Sequence, residues 1–322
     1  MRPVLLLLTL FASPALADIP ETVKDYILPG YAAFASASQT LADTATKDCA
    51  ADAVRPAYNA AFDAWLGVEH LRFGPVEDNG QAMSILFWPD PKGSGDKAQR
   101  ALLLGDPAQL QPEAFAQQSV AARGLSGLER LLYPKTDLPA DPCELIRATA
   151  NDLAATAQRI NDAWMQGYAQ TMLTAGAAGN TAYLHKSEVR QALFTQVISG
   201  LEFDLDERLG RPMGTFDAPH PERAESVASG RSLQNIRLSL RALRAMVATL
   251  TPDAPLTMTA FDRAIKQADA LDDPVLAGVA DPGGRLKVEI LQQRIAALRD
   301  TAVTELGQAL KVGKGFNAAD GD

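Results

Sequence analysis

Side chains able to do chemistry recur at helical spacing in three places: Ser126 with Glu129, Glu69 with Arg72, and Ser232 with Asn235. Residues three apart are neighbours on a helix surface. Within Arg123-Gly-Leu-Ser-Gly-Leu-Glu-Arg-Leu-Leu-Tyr133, Leu125, Leu128 and Leu132 recur at i, i+3 and i+7, the spacing of one apolar helix face. At about 100° per residue, Glu129 falls on the edge of that stripe, beside Leu125 and Leu132. A carboxylate so placed is partly desolvated, which costs free energy unless a cation or hydrogen-bond donors meet it. Two readings stand: a core helix whose Glu129 is tied to Arg123 or Arg130, or a carboxylate presented to a ligand. Pro134 ends the helix either way.

The second pair, Glu69 and Arg72, is either an exposed ion pair worth under about 1 kcal/mol or part of a site. In the latter, Glu69 joins Glu129 as a carboxylate pair and Arg72 positions an anionic group. The Gly74-Pro75 turn and an aromatic loop follow at once, which favours the site. Ser232 and Asn235 read as solvent-facing, or as donors at a cleft if their face meets another helical body.

The three histidines are His70, His185 and His220. None forms His-Glu-x-x-His, so the zinc-protease arrangement is absent. His185-Lys-Ser-Glu188 has His-x-x-Glu spacing but sits at a helix start, where Ser187 and Glu188 serve the N-terminus. Ser126 as a nucleophile needs a nearby base, and its motif offers only an acidic glutamate and no imidazole.

The elements that must position these residues are helices throughout. Pro20-Glu21 opens the first, buried through Tyr26, Leu28, Tyr31, Phe34 and Leu41, and the second runs through Tyr58, Phe62, Trp65 and Leu66. Two turn-rich stretches follow, Arg72 to Gly80 and Phe87 to Gly95. They carry Phe73, Phe87 and Trp88, as a loop packed over a site would. Asp141-Pro-Cys143 starts a long helix whose face holds Leu153, Ala157, Ile160, Trp164 and Tyr168. Gly176 to Asn180 is the candidate boundary. Beyond it, helices are expected from Val189 to about Gly210, from Arg223 to Leu250, from Phe261 to Leu271 and from Leu286 to Leu306. The expected fold is all-α, two antiparallel helical bundles packed side by side with a cleft between them, over residues 18–178 and 179–322.

Met1 to Ala17 has the charged start, short apolar run and Ala-Leu-Ala end of a secretory leader. Cleavage near Ala17 and a periplasmic location are expected. No segment is long and apolar enough to span a membrane. The formal charge of −9 argues against a nucleic-acid partner. Cys49 and Cys143 are the only cysteines, and in an oxidising compartment the simplest reading is one disulfide, against two separate buried thiols.

Gly124-Leu-Ser-Gly-Leu-Glu129 resembles the Gly-x-His-x-x-Glu helix of the imelysin family, the peptidase M75-like proteins of bacterial envelopes, with Ser126 where the family has histidine. Three further blocks are similar to family blocks. They are Ala64 to Pro75 with the Phe87-Trp-Pro-Asp90 loop, Glu225 to Ile236, and the tail Gly315 to Asp322. In that tail Asn317 and Asp320 read as turn formers holding the C-terminus against the body. The resemblance implies two related bundles and a ligand site built from Trp65, Glu69, Arg72, Ser126, Glu129, Ser232 and Asn235. It also implies an association with iron acquisition and an envelope iron-transport partner. Glu69 and Glu129 are the candidate metal ligands, for iron or another divalent or trivalent cation. Serine is a poor transition-metal ligand whereas carboxylates suit hard cations, so the exchange at Ser126 argues against hydrolytic zinc chemistry and against an enzyme. The alternatives are an M75-type metallopeptidase and a helical interaction module that binds nothing small.

Overall fold

The computed structural model describes residues 18–313. The leader and the tail residues Asn317 and Asp320 lie outside them. The described chain is helical, and no strand forms among the described residues. The opening Ile19–Glu21 turn widens over Thr22–Ile27 and runs into α1 (Leu28–Lys47), whose Tyr31, Phe34 and Leu41 are fully buried. Next come α2 (Ala51–Leu66), α3 (Ser94–Leu104), α4 (Gly124–Leu132) and α5 (Cys143–Ala163). The last four long helices are α6 (Lys186–Glu202), α7 (Ser232–Leu250), α8 (Pro255–Ala270) and α9 (Pro282–Leu310).

Helix α1 packs most extensively on α5 and α2, and α4 packs on α5 and α2 in turn. In the second half, α8 pairs with α9, α6 with α9, and α7 with α8 and α6. The two halves also touch, since α7 packs against α2 and against the Thr22–Ile27 turn. Aromatics knit the first half. Tyr31 stacks on Trp164 at 5.4 Å between ring centroids, and Phe34 meets Trp65 at 5.2 Å. Burying a side chain the size of Phe34 contributes about 2 to 3 kcal/mol.

Cys49 and Cys143 form the expected disulfide, with Cα atoms 5.3 Å apart across 94 residues of chain. It ties the α1–α2 connection to the first residue of α5. The turn-rich stretch after α2 is packed, not loose: Phe73 lies edge-on to Trp164 at 5.7 Å. Glu188 accepts from the amides of Leu184 (2.6 Å) and His185 (3.3 Å), the helix-start role expected of it.

One helix departs from expectation. The helix expected from Arg223 begins only at Ser232. Ala224 is extended, and Ser226 (φ +52°) and Gly230 (φ +73°) are left-handed, which no α-helix accommodates. The segment between is a strap laid across the molecule, and both candidate sites depend on it.

Candidate functional site

Glu129 stands on α4, and α4 starts as it does because of Gly124. That residue has φ +63°, and a Cβ there would collide with the backbone carbonyls of Ser84 and Ile85. Only glycine combines the left-handed backbone with so close an approach. The helix then buries Leu125, Leu128 and Leu132 and leaves Glu129 half-buried at its edge.

Neither expected arginine holds Glu129. Arg123 is taken by Asp152 (2.8 and 2.9 Å) and the Ala116 carbonyl. Arg130 donates to Gln99 Oε1 and to the Ala121 carbonyl. Glu129 instead accepts from the amide (2.9 Å) and hydroxyl (2.7 Å) of Ser229, a hundred residues away on the strap. Both bonds fall on Oε1, so Oε2 is the atom left for the cleft that Glu129 lines. Beneath it, the Tyr58 phenol is pushed well above its ordinary range, first by burial and then by the charge of Glu129.

That cleft has a volume of about 710 Å³. Its walls include Trp88 and Tyr133, the acids Glu129, Asp90, Asp96 and Glu222, and the bases Arg130, Lys135, Arg211 and Arg223. Burial opposes the charge of Asp90, but the Gly95 (2.8 Å) and Ser94 (2.9 Å) amides outweigh it and hold the carboxyl below its usual range. Ser126 is buried and belongs to the frame of the cleft, not its lining. Its hydroxyl accepts from the Phe87 amide (3.1 Å), fixing the loop that presents Trp88, Pro89 and Asp90.

The other predicted residues gather elsewhere. Glu69 Oε2 lies 2.5 Å from Arg208, which also binds Asp204 (2.9 Å) and Glu225 (2.8 Å). Asn235 donates to Glu225 Oε2 (2.8 Å), and the Ser232 hydroxyl donates to the Glu225 carbonyl (2.5 Å). Ser232 and Asn235 are therefore buried inside a polar knot, and the solvent-facing reading of them fails. Burial pushes Asp204 up to about 6 and raises Glu225. Burial also opposes the charge of Arg208, but Glu225, Glu69 and Asp204 outweigh it and hold the guanidinium cationic. Trp65 is fully buried, with the half-exposed Arg72 guanidinium 5.7 Å above its ring.

The structure thus separates the seven predicted residues. Glu69, Ser232 and Asn235 share the Arg208 knot, while Ser126 and Glu129 frame the cleft. Asp204, Arg208, Glu225 and Ser229 were missing from the predicted set. The i,i+4 spacing of Asp204 and Arg208 is one signal for them, and Glu225 and Ser229 fall inside the Glu225 to Ile236 block that resembles the family. The strap unites the sites: Glu225 enters the knot, Ser229 meets Glu129, and Arg231 binds Asn59 and Asp63 on α2. Ser226, left-handed at φ +52°, lines the cleft between them.

The donors do not assemble a resident metal centre. Ser126 is committed to Phe87, Glu69 to Arg208, and Glu129 offers one free oxygen. Among the described residues no group of three or more His, Cys, Asp or Glu side chains is placed to hold a metal ion.

Comparison with known proteins bears on what this arrangement is. Residues 27–302 match the family model described as Imelysin, of peptidase class M75. Iron-regulated protein A of Synechococcus elongatus is 25% identical over 277 residues, covering 78% of this chain and 72% of that protein. The crystal structure of an imelysin-like protein from Psychrobacter arcticum superposes with a TM-score of 0.77 at 20% identity, covering 92% of this chain and 96% of the other. A structure described as an iron-regulated protein A precursor from Parabacteroides distasonis gives 0.69 at 13% identity, over 91% and 95%. Among the described residues no helix is long and apolar enough to cross a membrane.

Proposed function

This chain belongs to the imelysin family, and from that premise we propose that it is an exported, iron-associated binding protein whose ligand occupies the Glu129 cleft. The observation that carries this reading is the half-buried Glu129. Its Oε1 is pinned by Ser229 while Oε2 is left to a cleft large enough for a small molecule. A pinned carboxylate keeps its orientation without losing its second oxygen, which suits a group that must meet a ligand repeatedly.

Asp90 is committed to two backbone amides, Asp96 to Arg100 and Glu222 to His220 and Arg223, so with Glu129 as the carboxylate left to it iron would arrive as cargo carrying most of its own ligands. The cleft suits such a complex. Arg130, Lys135, Arg211 and Arg223 can receive the carboxylates of a chelator, while Glu129 approaches the metal. The leader-like Met1 to Ala17 supports export to the periplasm, where a membrane-transport partner would take over the cargo. We read residues 18–178 and 179–322 as the two helical bodies, with the strap crossing from the second to the first.

The test is calorimetric titration of ferric citrate, with citrate alone as control, against the parent and Glu129→Gln, followed in parallel by Trp88 fluorescence. Binding of the iron complex that weakens at least tenfold in the variant is expected. Equal affinity in the two proteins would remove Glu129 from the site and overturn the reading.

A further inference from the structure

The Arg208 knot holds more negative charge than it can answer. Glu69, Asp204 and Glu225 converge on one guanidinium, and all four side chains are more than nine-tenths buried. Two carboxylate oxygens there, Glu69 Oε1 and Asp204 Oδ2, have no hydrogen-bond partner among the described residues. Burying an ionised oxygen without a donor is costly. Among the described residues the other cation within 4.0 Å of Glu69 is Arg72, 4.0 Å from Oε1, and its half-exposed side chain is shared with Glu77 at 3.9 Å.

Beside Glu69 lies a cavity of about 170 Å³, separate from the Glu129 cleft. It is lined by Glu69, His70, Arg72, Arg208, the helix α6 residues Ser199 and Gly200, Phe203 on the wide turn that follows (Phe203–Gly210), and Ser239 of α7. His70 adds no positive charge, because burial and then Arg72 hold its imidazole down to about 3. Its tautomer follows from Tyr26. That hydroxyl donates to the Gly67 carbonyl (2.7 Å), so at 3.2 Å from His70 Nε2 it must accept, leaving Nδ1 as the ring's acceptor. The pocket thus offers a bare carboxylate oxygen, a neutral imidazole, two serine hydroxyls and one aromatic ring, beside two guanidinium groups: Arg208, whose donors go to three carboxylates, and the half-exposed Arg72.

We propose that this cavity binds a small primary alkylammonium ion, its head group on Glu69 Oε1 and the serine hydroxyls and its alkyl tail against Phe203. The ammonium supplies the missing donor at Glu69 and releases Arg72 to solvent and Glu77. Its three N–H donors match an acceptor-rich head, as a spherical alkali ion does not match the apolar tail region. Size sets the tail: a cavity of roughly 150 Å³ holds one benzene, so about six heavy atoms fit here, room for the five of n-butylammonium.

The experiment is thermal denaturation and calorimetry of the full mature chain with n-butylammonium chloride, against sodium chloride at equal ionic strength. The parent should melt at a temperature that rises with amine concentration and not with sodium. Ser199→Leu fills the cavity without touching the charge network and should abolish the response, and Glu69→Gln should weaken binding at least tenfold. Glu129→Gln should bind the amine as the parent does, which separates this site from the cleft. A response no larger than that of sodium chloride, or one undiminished in Ser199→Leu, overturns the assignment. If Glu69→Gln fails to fold, Ser199→Leu alone decides.

Discussion

The Arg208 knot and the Glu129 cleft use the same residue types, glutamate, arginine and serine, to opposite ends. In the knot every charged group is buried and the guanidinium spends its donors on three carboxylates. In the cleft the charges of both signs face a cavity of about 710 Å³, and among the described residues Glu129 is hydrogen-bonded by one serine and forms no ion pair. The knot binds the end of α2, the wide turn after α6, the strap and α7 into one unit. The cleft leaves its carboxylate available. The difference teaches that burial, more than residue identity, separates a structural carboxylate from an available one.

The largest effect expected from breaking this contrast comes from Arg208→Met. It strands three buried carboxylates, and removing one partner of a buried ion pair costs ~4 kcal/mol. Urea denaturation should show that loss, or no folded protein, whereas Glu129→Gln should stay within about 1 kcal/mol of the parent. A mild Arg208→Met would mean that the knot is not the structural element described.

A smaller effect sharpens the contrast through pH. The folded Asp204 carboxyl ionises at about 6, above its ordinary 3.8, because it is buried. Its contribution to stability is therefore full below pH 3.8 and lost as the pH rises through about 6. At 1.36 kcal/mol per unit, the loss is on the order of 3 kcal/mol. Parent minus Asp204→Asn stability, measured by denaturation from pH 4 to 7, should carry that slope. A flat difference would place Asp204 in a more solvated setting than the knot provides.

The smallest effect tests the frame of the cleft. Ser126→Ala removes the acceptor for the Phe87 amide and should cost about 1 kcal/mol. It should also loosen the Trp88 loop, read as a red shift of tryptophan emission. An unaltered emission and stability would mean that the loop is held by its packing alone.

The helices themselves were open to reading because periodicity is a local signal. Leu125, Leu128 and Leu132 announce α4, Tyr31, Phe34 and Leu41 announce α1, and Pro134 marks where α4 must stop. The cysteine pair was legible by count. The strap was not. Ser226 carries no signal for a left-handed backbone, and the polar-apolar mix from Arg223 onward passes for helix until Gly230 and Ser226 are seen to break it. Ser232 and Asn235 were legible as neighbours, but nothing local shows that the face they share is buried.

Residue order alone determined the all-helical character and the motif helix with its edge carboxylate. Tertiary structure alone decided the partners. Glu69 meets Arg208 across 139 residues and Glu129 meets Ser229 across 100. Spacing along a helix states which side chains are neighbours within it, since the backbone repeat fixes their angles. It carries no information on which distant acid a buried guanidinium will face, because that depends on how whole helices pack, and packing is set by the summed burial of the apolar faces, not by the polar pair itself.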